Sequence, residues 1–130
     1  MTVKDKSTIG LGRKFQTDPN FFCKEVLGAQ FWEKQIEIVD AIAKHERVAV
    51  PSCVNSGKSY TGARLVLWFN QSFFRSMVVT TATSWSQVEH IVWKEIHAAW
   101  MQSRLPLAGK LNKTELTIQR DWFAMGLSTD

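Results

Sequence analysis

Apolar and polar positions alternate along this chain with two periods. Over residues 31–44, Trp32, Ile36, Val39 and Ala43 recur at i, i+4, i+7 and i+11, which predicts a helix with one apolar face; Glu33, Lys34, Glu37 and Asp40 lie mostly off it. Just upstream, Thr17-Asp18-Pro19 offers a capping side chain followed by proline near a first turn, and predicts a helix over 20–27 that stops at Gly28. Arg47-Val-Ala-Val50 is a short β-branched run ended by Pro51, the pattern of a buried strand. Residues 57–70 read as a helix dense in Leu65, Val66, Leu67, Trp68 and Phe69, and 76–80 read as a second buried strand. Ser84 followed three residues later by Gln87 is a capping box. It opens a long helix to about Gln102 with Val88, Val92, Ile96 and Ala99 on one face. Residues 105–109 break the chain, and 115–119 with 122–127 flank Arg120-Asp121 as a hairpin. Strands alternating with helices predict an α/β fold with a parallel sheet, and in such sheets ligands bind at the carboxyl ends of the strands. The loop after Val50 falls at such an end.

Composition narrows the class. The 130 residues are 45% hydrophobic and 22% charged, enough for one core, which argues against disorder. Two cysteines make no disulfide framework, so free thiols are the simpler reading. No apolar run has the length of a membrane span, and the first residues lack a secretory pattern. The net charge of +4 is uneven: residues 1–14, with Lys4, Lys6, Arg13 and Lys14 against Asp5, carry +3 of it. The pI of 9.3 therefore reports mainly this segment, read as a basic flexible tail ahead of a domain over 15–130. His45, His90 and His97 show no metal-ligand spacing with Cys or carboxylates, so no zinc site is expected.

The main chemical signal is Ser52-Cys-Val-Asn-Ser-Gly-Lys-Ser59. It ends as a Walker A phosphate loop does, with Ser52 in place of the usual first glycine. A polyphosphate cradle needs successive inward N–H groups, a helix that starts at once so that its positive end faces the anion, a lysine at the terminal phosphates and a hydroxyl for magnesium. Gly57 permits close backbone approach, Lys58 supplies the cation and Ser59 the hydroxyl. Ser52, Cys53, Val54, Asn55 and Ser56 would supply the cradle. The alternative is a helix-capping turn with an exposed lysine. Cys53 reads as a bystander in the loop.

In these motifs the sequence resembles the N-terminal ATPase region of phage terminase large subunits, from about Asp18 to the last residue. Residues 18–28 resemble the opening helix of that family, 31–39 its tryptophan–glutamine adenine motif, 47–59 its deviant Walker A, and 77–88 the strand, loop and helix that follow, as also seen in helicases. The resemblance implies an incomplete P-loop NTPase fold of the RecA-like type, a parallel sheet flanked by helices with a C-terminal β-hairpin. It implies ATP and Mg as cofactors. Gln35 would read the adenine edge with its amide, a polar surface residue being the alternative. Trp32 would lie near the base or, as the simpler reading, on the helix core face. Lys58 would be the catalytic lysine and Ser59 the magnesium ligand. Thr80, Thr81 and Thr83 would sense phosphate, contact DNA or cap their loop. The implied partners are double-stranded DNA, a terminase small subunit and a portal protein, in the cytoplasm of a bacterial host, with no membrane.

Two departures qualify the resemblance. Pro51 stands where many family members carry an arginine just before the Walker A serine, and no Walker B run of four apolar residues followed by Asp-Glu occurs. Glu115, Asp121 and Asp130 lack an apolar strand directly before them. The metal-ordering and water-orienting carboxylates supply much of phosphoryl-transfer catalysis, so nucleotide binding without useful turnover is expected. An uncovered sheet edge, with Trp68, Phe69, Phe73, Phe74, Trp93 and Trp100 partly exposed, is expected to favour self-association or a partner. Two alternatives are a helicase-type P-loop NTPase fragment and a non-catalytic prophage remnant that acts by protein interaction.

Overall fold

The computed structural model describes residues 6–50 and 57–129. Helices α1 (Lys6–Thr17), α2 (Pro19–Glu25), α3 (Glu33–Lys44) and α4 (Lys58–Ser72) lead into strand β1 (Met77–Ala82). A continuous helical stretch follows: α5 (Trp85–Gln87), a π-helical segment (Val88–Trp93) and α6 (Lys94–Gln102). Strands β2 (Lys110–Leu111), β3 (Glu115–Gln119) and β4 (Trp122–Ser128) complete a four-stranded mixed sheet of order β1-β4-β3-β2. β1 and β4 are parallel, with the helical stretch between them in sequence, and the other pairings are antiparallel. The chain is therefore an α/β structure with helices against its sheet. No helix of the described residues is long and apolar enough to cross a membrane.

Local chemistry sets most element ends. The Asp18 carboxylate accepts from the Phe21 amide at 3.1 Å with Pro19 in the first turn, so α2 begins there. Gly28 at φ +67 closes that segment. Ser84 accepts from the Gln87 amide at 3.2 Å and opens α5.

The core lies between the sheet and the helices. Val88, Trp93, Ile96, Ala99, Leu67, Leu116 and Ala124 are fully buried. The Trp93 indole lies against Gly126 of β4, where a Cβ would come within 2.6 Å of its nitrogen. That nitrogen donates to the Thr80 hydroxyl at 3.0 Å on β1, across from Gly126 in register. The expected stripe of Val88, Val92, Ile96 and Ala99 is present with one change. The wider i→i+5 turn of the π segment brings Trp93 to the buried stripe and leaves Val92 half-buried. On β1 and β4, Met77, Val79 and Leu127 are exposed.

Tertiary context overrides three expectations and part of a fourth. The tail expected over 1–14 gives way to α1 from Lys6; the Trp68 indole donates to the Phe15 carbonyl at 2.6 Å and Gln16 donates to the Ser72 carbonyl at 2.9 Å, which ties its last turn to α4. The expected strand over 47–50 is absent: those residues are neither helix nor strand and do not join the four-stranded sheet. A cavity of about 450 Å³ lined by Ile42, Val48, Val50, Phe69 and Phe73 lies beside them. The apolar face of α3 is turned: Gln35 and Val39 are buried, while Trp32, Ile36 and Ala43 are exposed. Of the aromatic residues expected to be partly exposed, Trp68 and Trp93 are buried, Phe73 and Trp100 are half-buried, and Phe69 and Phe74 are exposed.

Candidate functional site

The candidate site is the start of α4. Gly57 is the residue before its first turn and has φ +81, a left-handed conformation that favours glycine. Its carbonyl is the acceptor at the centre of a small network. The Thr61 amide donates to it at 3.0 Å, the Thr61 hydroxyl at 2.8 Å and the Gln35 side-chain amide at 3.2 Å. The Gln35 carbonyl oxygen accepts in turn from the Trp32 amide at 2.9 Å. Gln35 thereby fastens the first turn of α3 to the first turn of α4, and its side chain is only 5% exposed.

A second tie lies beside this one. Tyr60 accepts from the Gln30 amide at 3.1 Å through its hydroxyl, and Phe31 meets its ring edge-on at 5.9 Å. Below it, Arg64 stacks on the Tyr60 ring at 3.6 Å and pairs with Glu95 at 2.6 Å while almost fully buried, which fixes α4 to α6. The beginning of α4 is thus positioned from both sides. The N–H groups of Lys58, Ser59 and Tyr60 precede the first bond of the helix ladder, formed by Thr61. They add to the positive end of a 15-residue helix. Lys58 and Ser59 are exposed, and neither side chain is hydrogen-bonded to a described residue.

The expected site residues divide into three groups. Gln35, Gly57, Lys58 and Ser59 are brought together at one helix start. Ser52, Cys53, Val54, Asn55 and Ser56 lie outside the described residues. Of the threonines that end the second strand, Thr80 accepts from Trp93 and donates to the Met125 carbonyl at 3.3 Å, and Thr83 donates to Gln87 at 2.7 Å. Trp32 leaves the core face expected for it; it is 55% exposed, with its indole nitrogen 3.9 Å from where a Gly57 Cβ would lie. Gln35 is not the polar surface residue that its position on α3 also allowed. Tyr60 and Thr61 were not singled out in the sequence; Thr61 had a usable signal, a hydroxyl four residues after the glycine and one helical turn along.

The donors present suit an anion. They comprise backbone N–H groups, one ammonium and one hydroxyl that can serve as a magnesium ligand. Among the described residues no three His, Cys, Asp or Glu side chains gather as a metal site. Comparison of the chain with protein-family models, with curated proteins and with solved structures finds no match in any of the three.

Proposed function

We propose that this chain binds a magnesium–nucleoside triphosphate, ATP in the first instance, through Gly57, Lys58 and Ser59 at the start of α4. In this reading it is the N-terminal nucleotide-binding part of a P-loop ATPase of the terminase large-subunit kind, whose hydrolysis cycle drives double-stranded DNA into a viral prohead. The small subunit and the portal would be its partners in that motor. One observation carries the proposal: a left-handed Gly57, locked by Gln35, opens a long helix whose next two side chains are an exposed lysine and an exposed serine. A mere capping turn does not require a buried glutamine from another helix to hold it. Lys58 would supply charge to the terminal phosphates, Ser59 would hold the metal, and the free amides would orient the phosphate oxygens.

Calorimetric titration with ATP in the presence and absence of magnesium tests this. Magnesium-dependent binding is expected, with at least a tenfold loss in Lys58→Ala, because a charge-assisted contact is worth about 1.5–3 kcal/mol. Binding that is indifferent to Lys58, or absent in the unaltered chain, overturns the reading. Phosphate release by this chain alone is expected to stay at the Lys58→Ala background.

A further inference from the structure

We infer that one face of the sheet pairs two copies of this chain, the β1–β4 strip of each packed face to face on that of the other about a two-fold axis. The inference does not depend on the nucleotide reading.

The two faces of the sheet are unlike. Thr80, Ala124 and Gly126 lie on the face covered by the π segment and α6, where the Trp93 indole meets Thr80 and Gly126. Side chains alternate along a strand, so Met77, Val79 and Thr81 share the other face with Phe123, Met125 and Leu127, their neighbours in register on β4. None of these six is buried, and Met77, Val79 and Leu127 are 62%, 53% and 43% exposed. Parallel strands are ordinarily covered on both faces; β1 and β4 are parallel, and the described residues leave this face of them open. Farther from β1 the same face turns polar: Thr117 and Glu115 of β3 stand beside Phe123 and Met125, and Lys110 of β2 stands beside Thr117.

The placement of those charges selects the occupant. The β1–β4 strip carries no charge, so what covers it must be an uncharged apolar surface of the same width, and this chain carries one. A two-fold axis that runs along the strands between β1 and β4 sets β1 of each copy over β4 of the other. Met77 then faces Phe123, Val79 faces Met125 and Thr81 faces Leu127 in every crossing, while Glu115 and Lys110 fall past the outer edge of β1, off the apolar overlap. The other simple axes fail on charge. One across the strands at the middle row sets Glu115 against Glu115, and one between β4 and β3 sets Met125 against Glu115. Two strands about 4.8 Å apart and six residues long at about 3.3 Å each give a strip of about 20 by 10 Å. With side-chain relief that is on the order of 400 Å² a side, against roughly 800 Å² per partner in a stable complex, so the pair is weak and reversible, with a Kd on the order of 100 micromolar.

Sedimentation of the unaltered chain from about 10 micromolar to about 1 millimolar is expected to show a mass that climbs from 14.9 kDa toward twice that value and stops there. Val79→Lys and Leu127→Lys each bring a charge into the apolar strip, and each is expected to weaken the pair about tenfold or more. Met101→Lys, at a position 81% exposed on α6, is expected to leave it unchanged. Amide hydrogen exchange separates face packing from pairing of strand edges. The Phe123 and Thr129 amides donate to the Ser76 and Ala82 carbonyls, so alternate residues of β1 turn their backbone groups to β4, and Met77, Val79 and Thr81 turn theirs to the outer edge. Exchange at these three is expected to be the same in dilute and concentrated samples. Slower exchange there on concentration means edge-to-edge pairing and overturns the inference. A monomer at every concentration, which would leave the strip to another occupant such as an amphipathic helix, overturns it, as does a mass that keeps climbing past the dimer or an association that survives both lysine variants. Where exchange at Ile96 and Ala124 in the core quickens in one variant, the other decides; quickening in both shows that this face supports the fold and not a partner, and overturns it too.

Discussion

The two ends of α4 are built in opposite ways. Its last turns are welded to the sheet. Asn70 is fully buried and shares its amide hydrogens among the Ser76 carbonyl at 3.1 Å, the Ser76 hydroxyl at 3.1 Å and the Phe123 carbonyl at 3.2 Å. Its own carbonyl accepts from the Trp122 indole at 2.6 Å. Leu67 and Trp68 fill the core beside it. The first turn does not touch the sheet in this way. It is held by Gln35 and Thr61 on the Gly57 carbonyl and by Tyr60 through the Gln30 amide and the Phe31 ring, and the two side chains after Gly57 face solvent. The contrast separates two tasks within one helix: one end stores the stability of the domain, and the other keeps its polar groups uncommitted at a defined place. Binding groups that were themselves consumed by the fold would have nothing left for a ligand.

The largest expected effect tests the welded end. Asn70→Ala removes one side chain and strips the Ser76 and Phe123 carbonyls of a buried donor, a loss of roughly 2–3 kcal/mol measured by denaturant unfolding. Its effect on phosphate binding, measured below the unfolding midpoint, is expected to be small. Gly57→Ala tests the other end. The left-handed backbone disfavours alanine and the new Cβ displaces Gln35, so a loss of about 1–2 kcal/mol in stability is expected together with loss of ATP binding. A variant that binds ATP as well as the unaltered chain would erase the distinction between the two ends.

The smallest effect uses a native reporter beneath α4. Cys23 is fully buried with its sulfur 3.9 Å from the Arg64 carbonyl, and burial pushes its thiol up from 9.0 to about 12, against a smaller opposing pull from the Arg64 charge. The folded thiol keeps its proton where the unfolded one has lost it. This contribution leaves stability unaffected below about pH 9 and lowers it as the pH climbs from there toward about 12. At pH 8, Cys23 is expected to resist alkylation until global unfolding exposes it. Rapid modification of Cys23 in the folded chain would show that the packing under α4 opens locally.

The parts of the fold legible in the sequence were those decided by neighbours along the chain. The hairpin at Arg120-Asp121, the Asp18 and Ser84 caps and the start of α4 at Lys58 each follow from residues within one turn of each other. Residues 47–50 have strand composition, but a strand exists only when paired with another, and these residues do not join the described sheet. α1 lies in a segment whose charge suggested a tail and is held by distant Trp68 and Ser72. In α3 the apolar count selected a stripe of which only Val39 is buried. Turning Gln35 inward satisfies both halves of its amide and exposes Ile36 and Trp32 to do so, a trade no hydrophobic periodicity registers.

By itself, then, the sequence determined which residue types stand at the start of α4 and that a helix begins there, because helix initiation and glycine conformation are local properties. Tertiary structure decided what Gln35 does, since a side-chain amide takes its role from whichever groups reach it first. Here those are the Trp32 N–H three residues away on one side and the Gly57 carbonyl twenty-two residues away on the other.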